Sequence, residues 1–196
     1  IYSYINGGIS IMSELRTNRI IPRDGLTSGT FNGGGIIQVK QTVKTDVYSE
    51  SLNAHTTASA DAMQVAITPT RSDSKILILI SAHGSSSYWG SSCCGAWQGF
   101  LMRNGSILVQ GDADGSRQRM TMRTGDSDST YIEEPLNFNY LDSPTTTSTV
   151  TYGLRLHNSD NGNGKVLYLN RSPTDNNSVT TTTRTVSTMT AMEVSG

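Results

Sequence analysis

Three histidines, His55, His83 and His157, are the side chains best suited to acid–base chemistry near neutral pH. A histidine that activates a nucleophile must lie within hydrogen-bond reach of it and must be oriented by a third group. The sequence has neither a Gly-x-Ser-x-Gly elbow nor a His-Glu-x-x-His helix to frame such an arrangement. His83 and His157 stand at the ends of apolar runs, a position typical of strand ends. We therefore predict no catalytic residue and no enzyme.

Acidic residues occur in pairs that suggest two other kinds of chemistry. Glu133 and Glu134 are adjacent, so in a strand their side chains point to opposite faces and cannot flank one glycosidic bond. The stretches 112–115 and 126–128 offer carboxylate oxygens of the kind that Ca²⁺ binds. Neither has the ligand register of an EF-hand loop, and Asp-Gly sequences are frequent in turns. We expect simple turns, with structural calcium as the alternative, and we predict no metal site and no cofactor.

A stretch rich in Gly and Ser carries three aromatic residues, Tyr88, Trp89 and Trp97. Exposed rings beside hydroxyl groups can stack on the apolar face of a sugar, and aromatic residues also anchor protein interfaces. These residues therefore indicate a receptor-binding or interface loop, with packing inside the domain as the other interpretation. Cys93 and Cys94 in the same stretch form either a strained vicinal disulfide or two thiols on opposite faces of a strand.

The composition limits both the fold and the partners. Charged residues make up 16% of the chain and hydrophobic residues 35%, which suits a domain with one modest core and many polar loops. The formal net charge of −1 provides no basic field for nucleic acid or for an anionic membrane. No apolar run approaches the roughly 20 residues of a membrane span. We therefore expect neither nucleic acid nor a membrane as a partner.

From Ile36 onward, short runs with strand-like alternation follow one another, separated by turns of Gly, Asn, Ser and Asp. They predict an all-β fold, an antiparallel β-sandwich or jelly roll of about nine or ten strands. The continuous apolar run 75–83 predicts a central strand that is covered on both faces.

Local turn chemistry adds detail to this fold. The dipeptide Asn104-Gly105 predicts a tight hairpin. Pro135 has no backbone N–H to donate, so it predicts a bulge or a sheet edge. The runs 149–157 and 166–169 flank an Asn/Gly turn, and we expect them to pair antiparallel.

Residues 1–35 show no sustained period of either kind, and we interpret them as an extended arm before the sandwich domain 36–196. A loose terminus is the alternative. Apolar residues alternate there with arginines, which form directional pairs with carboxylates and suit docking into another protein. We predict that the arm attaches the module to a larger particle, or winds around its copies at a threefold axis, through Leu15, Arg16, Arg19, Ile20, Ile21 and Arg23.

The order of strands and turns resembles a β domain of structural proteins from tailed bacteriophages, many of them marine. The resemblance covers most of 13–196 and includes a leader-like stretch at 13–20. Its motifs are IIQVKQT (36–42), VAITP (65–69), SDSKILI (72–78), GFLMRNG (99–105), LDSP (141–144), NRS (170–172) and TAMEV (190–194). These are strand and turn patterns, so the resemblance carries no catalytic or binding residue across.

This resemblance implies a structural protein of the phage virion, a homotrimeric tail-fibre or head-fibre module attached by its N-terminal arm. The expected partners are further copies of the chain and other virion structural proteins. Two alternatives remain open: a receptor-binding module that recognises a host-surface glycan at a fibre tip, and a capsid decoration protein.

Overall fold

The computed structural model describes residues 35–87, 96–125, 131–177, 180 and 182–195. These residues form strands, turns and bends, with no helix among them. That part of the chain accordingly contains no helix of the length and hydrophobicity that a membrane span requires. The predicted all-β class is confirmed. The predicted arm lies outside the described residues, except for Gly35, and so do its proposed contact residues Leu15, Arg16, Arg19, Ile20, Ile21 and Arg23.

The described residues contain twelve strands, more than the nine or ten predicted, because β2, β3 and β8 are too short or too polar to be recognised in the sequence. In chain order the strands are β1 (Ile36–Lys44), β2 (Tyr48–Leu52), β3 (Thr56–Thr57), β4 (Met63–Ile67), β5 (Lys75–Ser86), β6 (Gln98–Arg103), β7 (Ser106–Val109), β8 (Met122–Arg123), β9 (Glu134–Asp142), β10 (Val150–Asn158), β11 (Lys165–Leu169) and β12 (Ser187–Val194).

The strands form two antiparallel sheets of six strands each. The first sheet has the order β1-β12-β5-β11-β2, and β9 pairs with β5 along the edge opposite β12. The second sheet has the order β3-β10-β6-β7, with β4 also paired to β10 and β8 to β6. The inner faces of both sheets contribute to one buried cluster, as in a β-sandwich. The predicted sandwich is confirmed, whereas jelly-roll connectivity stays a prediction.

The core follows from the alternation of strand side chains between the two faces of a sheet. In β5 the inward residues Ile76, Ile78 and Ile80 are buried, and in β10 Leu154 and Leu156 are buried in the same cluster. Burying an aliphatic side chain of this size stabilises a fold by roughly 1.5–3 kcal/mol relative to leaving it exposed. The two sheets are therefore held together mainly by aliphatic packing.

The hairpin between β6 and β7 confirms the turn prediction. Asn104 has φ 49° and Gly105 has φ 82°, the left-handed pair that a two-residue type I′ turn requires. The Asn104 side chain accepts a hydrogen bond from the Thr151 N–H at 2.9 Å, which ties the turn to β10. The edge prediction for Pro135 is also confirmed, because among the described strands β9 pairs with β5 alone.

The predicted pairing of the runs 149–157 and 166–169 is wrong, because they lie in different sheets. β10 pairs with β3, β4 and β6, whereas β11 pairs with β2 and β5. The fully buried Asn158 fixes this crossover: its amide donates to the carbonyls of Leu52, Asn53 and Gly162 at 2.9–3.2 Å. Each run is apolar on one face, and those faces meet across the sandwich instead of side by side.

A buried ionic cluster joins the two sheets at one end of the core. Asp142 of β9 accepts hydrogen bonds from the Arg103 guanidinium at 2.9 and 3.0 Å and from the Tyr152 hydroxyl at 2.7 Å. Arg103 and Tyr152 belong to the second sheet and Asp142 to the first. Burial, together with the hydrogen bond to Asp142, raises the pKa of Tyr152, so the phenol remains a donor.

A second buried carboxylate, Glu193 of β12, holds the segment between β4 and β5. It accepts hydrogen bonds from Gln38 Nε2 at 2.6 Å and from both the N–H and the hydroxyl of Thr70 at 2.7 Å. Burial opposes ionisation, but these hydrogen bonds outweigh it and lower the pKa of Glu193 to about 2. The charged form of Glu193 is therefore the form that stabilises the fold.

We predict that Glu193 contributes to loss of stability in acid. Its pKa is lower in the folded chain than its ordinary 4.5, so its contribution is present above pH 4.5 and is lost as the pH falls towards 2. In Glu193→Gln, urea unfolding at neutral pH should show a loss of roughly 1–3 kcal/mol and a flatter acid profile. Asp114→Asn, which removes an exposed pair with Arg117, is the control and should change little. An acid profile of Glu193→Gln as steep as that of the natural chain would contradict this role.

Candidate self-association surface

The central strand β5 is apolar on both of its faces. Its inner face is buried in the core, as described above, whereas its outward residues Leu77 and Leu79 are only half-buried. The prediction of a strand covered on both faces is thus correct for the inner face and wrong for the outer face of a single chain. The outer side of the first sheet is the place where this strand leaves apolar surface uncovered.

One row of apolar side chains crosses this outer side from edge to edge. Directly paired residues on neighbouring strands point to the same face of a sheet. The ladders β1–β12, β12–β5 and β5–β9 bring four apolar residues into line: Val39, Met192, Leu77 and Leu141. The two ends of this apolar row are open to solvent, with Val39 51% and Leu141 49% exposed.

On one side of the apolar row, the row of Val194 contains the exposed Lys75, whereas the next two rows on the other side contain no charged side chain. These two rows consist of Gln41, Thr190, Leu79 and Asn139 in one row and of Val43, Thr188, Ser81 and Asn137 in the next. We call the three rows together the outer face. It combines aliphatic groups with hydroxyl and amide groups that can donate and accept hydrogen bonds. A surface of this chemistry can pack against an uncharged partner without burying an unpaired charge.

The edge strand β1 continues the outer face. Among the strands that the structure describes, β1 pairs with β12 only, so its other edge is not part of a ladder. Val43 on this strand is 54% exposed, and Ile37 is 44% exposed. An exposed apolar edge strand is a natural template for association with another chain unless it is blocked by charge or proline. The strand sequence IIQVKQTVK contains no proline but has two lysines, which place charge along this edge, so the outer face is a better candidate for association than the edge itself.

Two of the three histidines come together in a polar cluster away from the outer face. The ring of His157 packs edge-on against Phe100 at 5.3 Å and hydrogen-bonds Thr57 and Gln118. His55 hydrogen-bonds the same Gln118. His83 lies on β5, in the first sheet. The role of Gln118 as the shared partner of His55 and His157 is not predictable from the sequence, because an isolated glutamine in a polar loop carries no local signal of it.

Of the acidic pairs, Glu133 and the stretch 112–115 are engaged in local structure. Glu133 accepts hydrogen bonds from Thr185 and from Thr183, the latter at 2.7 Å, whereas Glu134 stands opposite Gly84 in the β5–β9 ladder. The stretch 112–115 is an exposed turn in which Asp114 pairs with Arg117. Over the described residues, no group of three or more His, Cys, Asp or Glu side chains is placed to hold a metal ion. The stretch 126–128 lies outside those residues.

Trp97 is fully buried in the core, so its interpretation as an exposed receptor-binding ring is wrong. The indole fills the space above Gly84, where a built Cβ would lie 2.1 Å from Trp97 Cε2. The backbone N–H of Trp97 donates to the Thr124 hydroxyl at 2.9 Å. The ring is therefore not available to stack on a sugar. The other residues of the proposed loop, Tyr88 and Trp89, lie outside the described residues, as do Cys93 and Cys94.

Comparison of the chain with protein-family models gives no match, and comparison with curated proteins gives no significant similarity either. A function therefore has to be inferred from the chemistry of the outer face and from the resemblance of the strand and turn motifs to phage fibre-type domains.

The contact between Trp97 and Gly84 generates a stability prediction. We expect Gly84→Ala to destabilise the fold by about 1–3 kcal/mol, because the new methyl group overlaps the indole and the core has to shift. Gly111→Ala is the matched control, since the nearest atom to a Cβ there is the Met120 carbonyl oxygen at 3.9 Å. Urea unfolding of both variants measures the difference. Equal stability of the two variants would show that the indole does not occupy this space.

Proposed function

We propose that this chain is a structural protein of a bacteriophage particle, a tail-fibre or head-fibre module that assembles as a homotrimer. The observation that supports the proposal most is the uncharged outer face with its apolar row. The sandwich fold and the resemblance of its motifs to phage fibre-type domains support it as well. In this proposal the module acts by assembly, and no catalytic step is required.

Assembly through the outer face is favourable on energetic grounds. Completing the burial of a half-exposed Val or Leu side chain contributes on the order of 1 kcal/mol, so an interface that covers the apolar row gains several kcal/mol per copy. The formal net charge of −1 means that copies of the chain repel one another very little. A second copy is therefore the partner whose charge and surface chemistry suit the outer face best.

The remaining parts of the proposal concern attachment and location. Residues 1–35 attach the module to other virion structural proteins, with the arginines and aliphatic residues of the arm as contacts. The protein is then a component of the extracellular phage particle. Mass spectrometry of purified particles whose genome encodes the chain tests this part: peptides at a constant ratio to the major capsid protein support it, and their absence contradicts it.

The assembly itself is tested by light scattering of the purified full-length chain. We predict a trimer for the natural sequence at micromolar concentration. The double variant Val39→Lys with Leu141→Lys places a charge at each end of the apolar row and should be monomeric. Both positions are half-exposed, so the fold should survive, and far-UV circular dichroism checks that it does.

Ile107→Lys is the matched control for this experiment. Ile107 is an apolar strand residue, 43% exposed, on β7 of the second sheet, away from the outer face. This variant should remain trimeric. A monomeric natural chain would contradict the proposed assembly and would favour a decoration protein that is held in place only by its host particle.

A further inference from the structure

Three loops meet at the side-chain amide of Gln118. Gln118 belongs to the connection between β7 and β8, which is closed at its base by a hydrogen bond from Gly111 N to the Met120 carbonyl at 3.1 Å. His55 belongs to the turn between β2 and β3, and His157 lies near the end of β10. The amide contacts both imidazoles and also the Ser159 carbonyl. This glutamine therefore joins the 111–120 loop to two neighbouring segments.

The partners fix the direction of every hydrogen bond in this cluster. The Gln118 Nε2 group donates to the Ser159 carbonyl at 3.0 Å and to His55 Nδ1, so His55 Nδ1 carries no proton. His55 Nε2 lies 2.7 Å from the Asn161 side-chain oxygen, which can only accept, so His55 Nε2 is the protonated nitrogen.

The same reasoning applies to the second imidazole. His157 Nε2 lies 3.2 Å from Gln118 Oε1, an acceptor, and therefore donates to it. His157 Nδ1 then accepts the proton of the Thr57 hydroxyl at 2.8 Å. The chain of hydrogen bonds runs from Thr57 through His157, Gln118 and His55 to Asn161, and it is complete only when both histidines are neutral.

A proton added to His55 Nδ1 would point directly at the Gln118 NH₂ group, which is also a donor. Rotation of the amide would turn its oxygen towards His55, but it would then turn the NH₂ group away from the Ser159 carbonyl and against the His157 Nε2–H. Neither orientation keeps all three protein contacts of Gln118 once His55 is charged, and water can bond the released groups because His55 and Gln118 are exposed. We infer that Gln118 is an acid-sensitive latch, which holds the 111–120 loop against the β2–β3 turn at neutral pH and releases it when His55 is protonated.

The charged groups on the surrounding elements are largely engaged with other partners. Asp160 of the crossover turn pairs with Lys165, Asp114 pairs with Arg117, and the Arg119 guanidinium donates to the Gly111 carbonyl at 2.6 Å. On β10, Arg155 pairs with Asp61 at 2.7 Å, and β8 contributes Arg123. Among the described residues, the hydrogen-bond partners of His55 and His157 are Asn161, Thr57 and Gln118, none of which is a carboxylate that would stabilise an imidazolium.

The direction of the pH effect follows from the second histidine. Burial and the proximity of His55 lower the pKa of His157 below its ordinary 6.5. A histidine whose pKa is lower in the folded state stabilises the neutral form of the cluster, and this stability is present above pH 6.5 and is lost as the pH falls below it. Acid therefore weakens the cluster, in agreement with the hydrogen-bond geometry.

Hydrogen exchange measured by mass spectrometry tests the latch on the full-length chain. Protection factors, corrected for the intrinsic exchange rate at each pH, should fall about 5- to 30-fold between pH 7.5 and pH 5 for the Arg117 amide, which donates to the Asp114 carbonyl at 3.2 Å within 112–119, as expected for the loss of one or two hydrogen bonds. Peptides from β5 and β12 should change much less. A 112–119 segment whose protection stays within about twofold between the two pH values would overturn the inference.

Three variants separate the latch from a general acid effect. Gln118→Ala should show low protection of 112–119 at both pH values. His55→Asn, a residue that tolerates the left-handed φ of 54° at this position, should remove most of the pH dependence and leave only the part that belongs to His157. His83→Asn removes the histidine that lies outside the cluster and should leave the pH dependence unchanged. Retention of the full pH dependence in His55→Asn would also overturn the inference, and none of these outcomes depends on the proposed virion function.

Discussion

A strand that is apolar on both faces has to be covered on both faces, and this constraint on β5 shapes the whole domain. Its inner residues Ile76, Ile78 and Ile80 are covered by the second sheet, so the two sheets have to pack face to face. Along its edges, β5 pairs with β9 on one side and with β12 and β11 on the other. The outward residues Leu77 and Leu79 are left half-buried. A second copy bound to the outer face would cover these outward residues, which a single chain leaves half-buried.

Buried polar groups hold the connections between strands in place. Asn170, with φ 63°, is fully buried and donates to the carbonyls of Lys44 and Asp46 at 2.8 and 2.9 Å, while it accepts from the Ser187 hydroxyl at 2.6 Å. It thereby joins the end of β1, the end of β11 and the start of β12. Asn158 holds the crossover from β10 of the second sheet to β11 of the first sheet, and Asp142 links the sheets across the core. Removal of one partner from such a group leaves a buried polar atom unsatisfied, which costs about 1–3 kcal/mol. These residues specify one connectivity among the many that aliphatic packing alone would permit.

The sequence predicts those features of the fold that depend on neighbouring residues. The hairpin at Asn104-Gly105, the edge position of Pro135 and the central strand over 75–83 all follow from local turn chemistry or side-chain period. The partner of the run 149–157 is not predictable in this way, because two apolar runs can pair side by side or pack face to face, and Asn158 decides between them. The apolar row cannot be predicted from the sequence either. Its members are far apart in the chain and are aligned only by the ladder register: Val39, Met192, Leu77 and Leu141. The choice between an exposed and a packed Trp97 is not predictable either, because an aromatic residue beside a Gly/Ser-rich stretch does not reveal whether it faces the core or the solvent.

Burial of the outer face between copies of the chain is the central proposal. Met192, in the middle of the apolar row, reports on this burial. The most direct measurement is the rate of Met192 oxidation by peroxide in the assembled chain and in the Val39→Lys, Leu141→Lys variant, with Met120 of the 111–120 loop as the internal reference. The account predicts that Met192 is oxidised several-fold more slowly in the natural chain, whereas Met120 reacts at the same rate in both. Equal rates for Met192 in the two proteins would show that the outer face is open to solvent, and they would contradict the account.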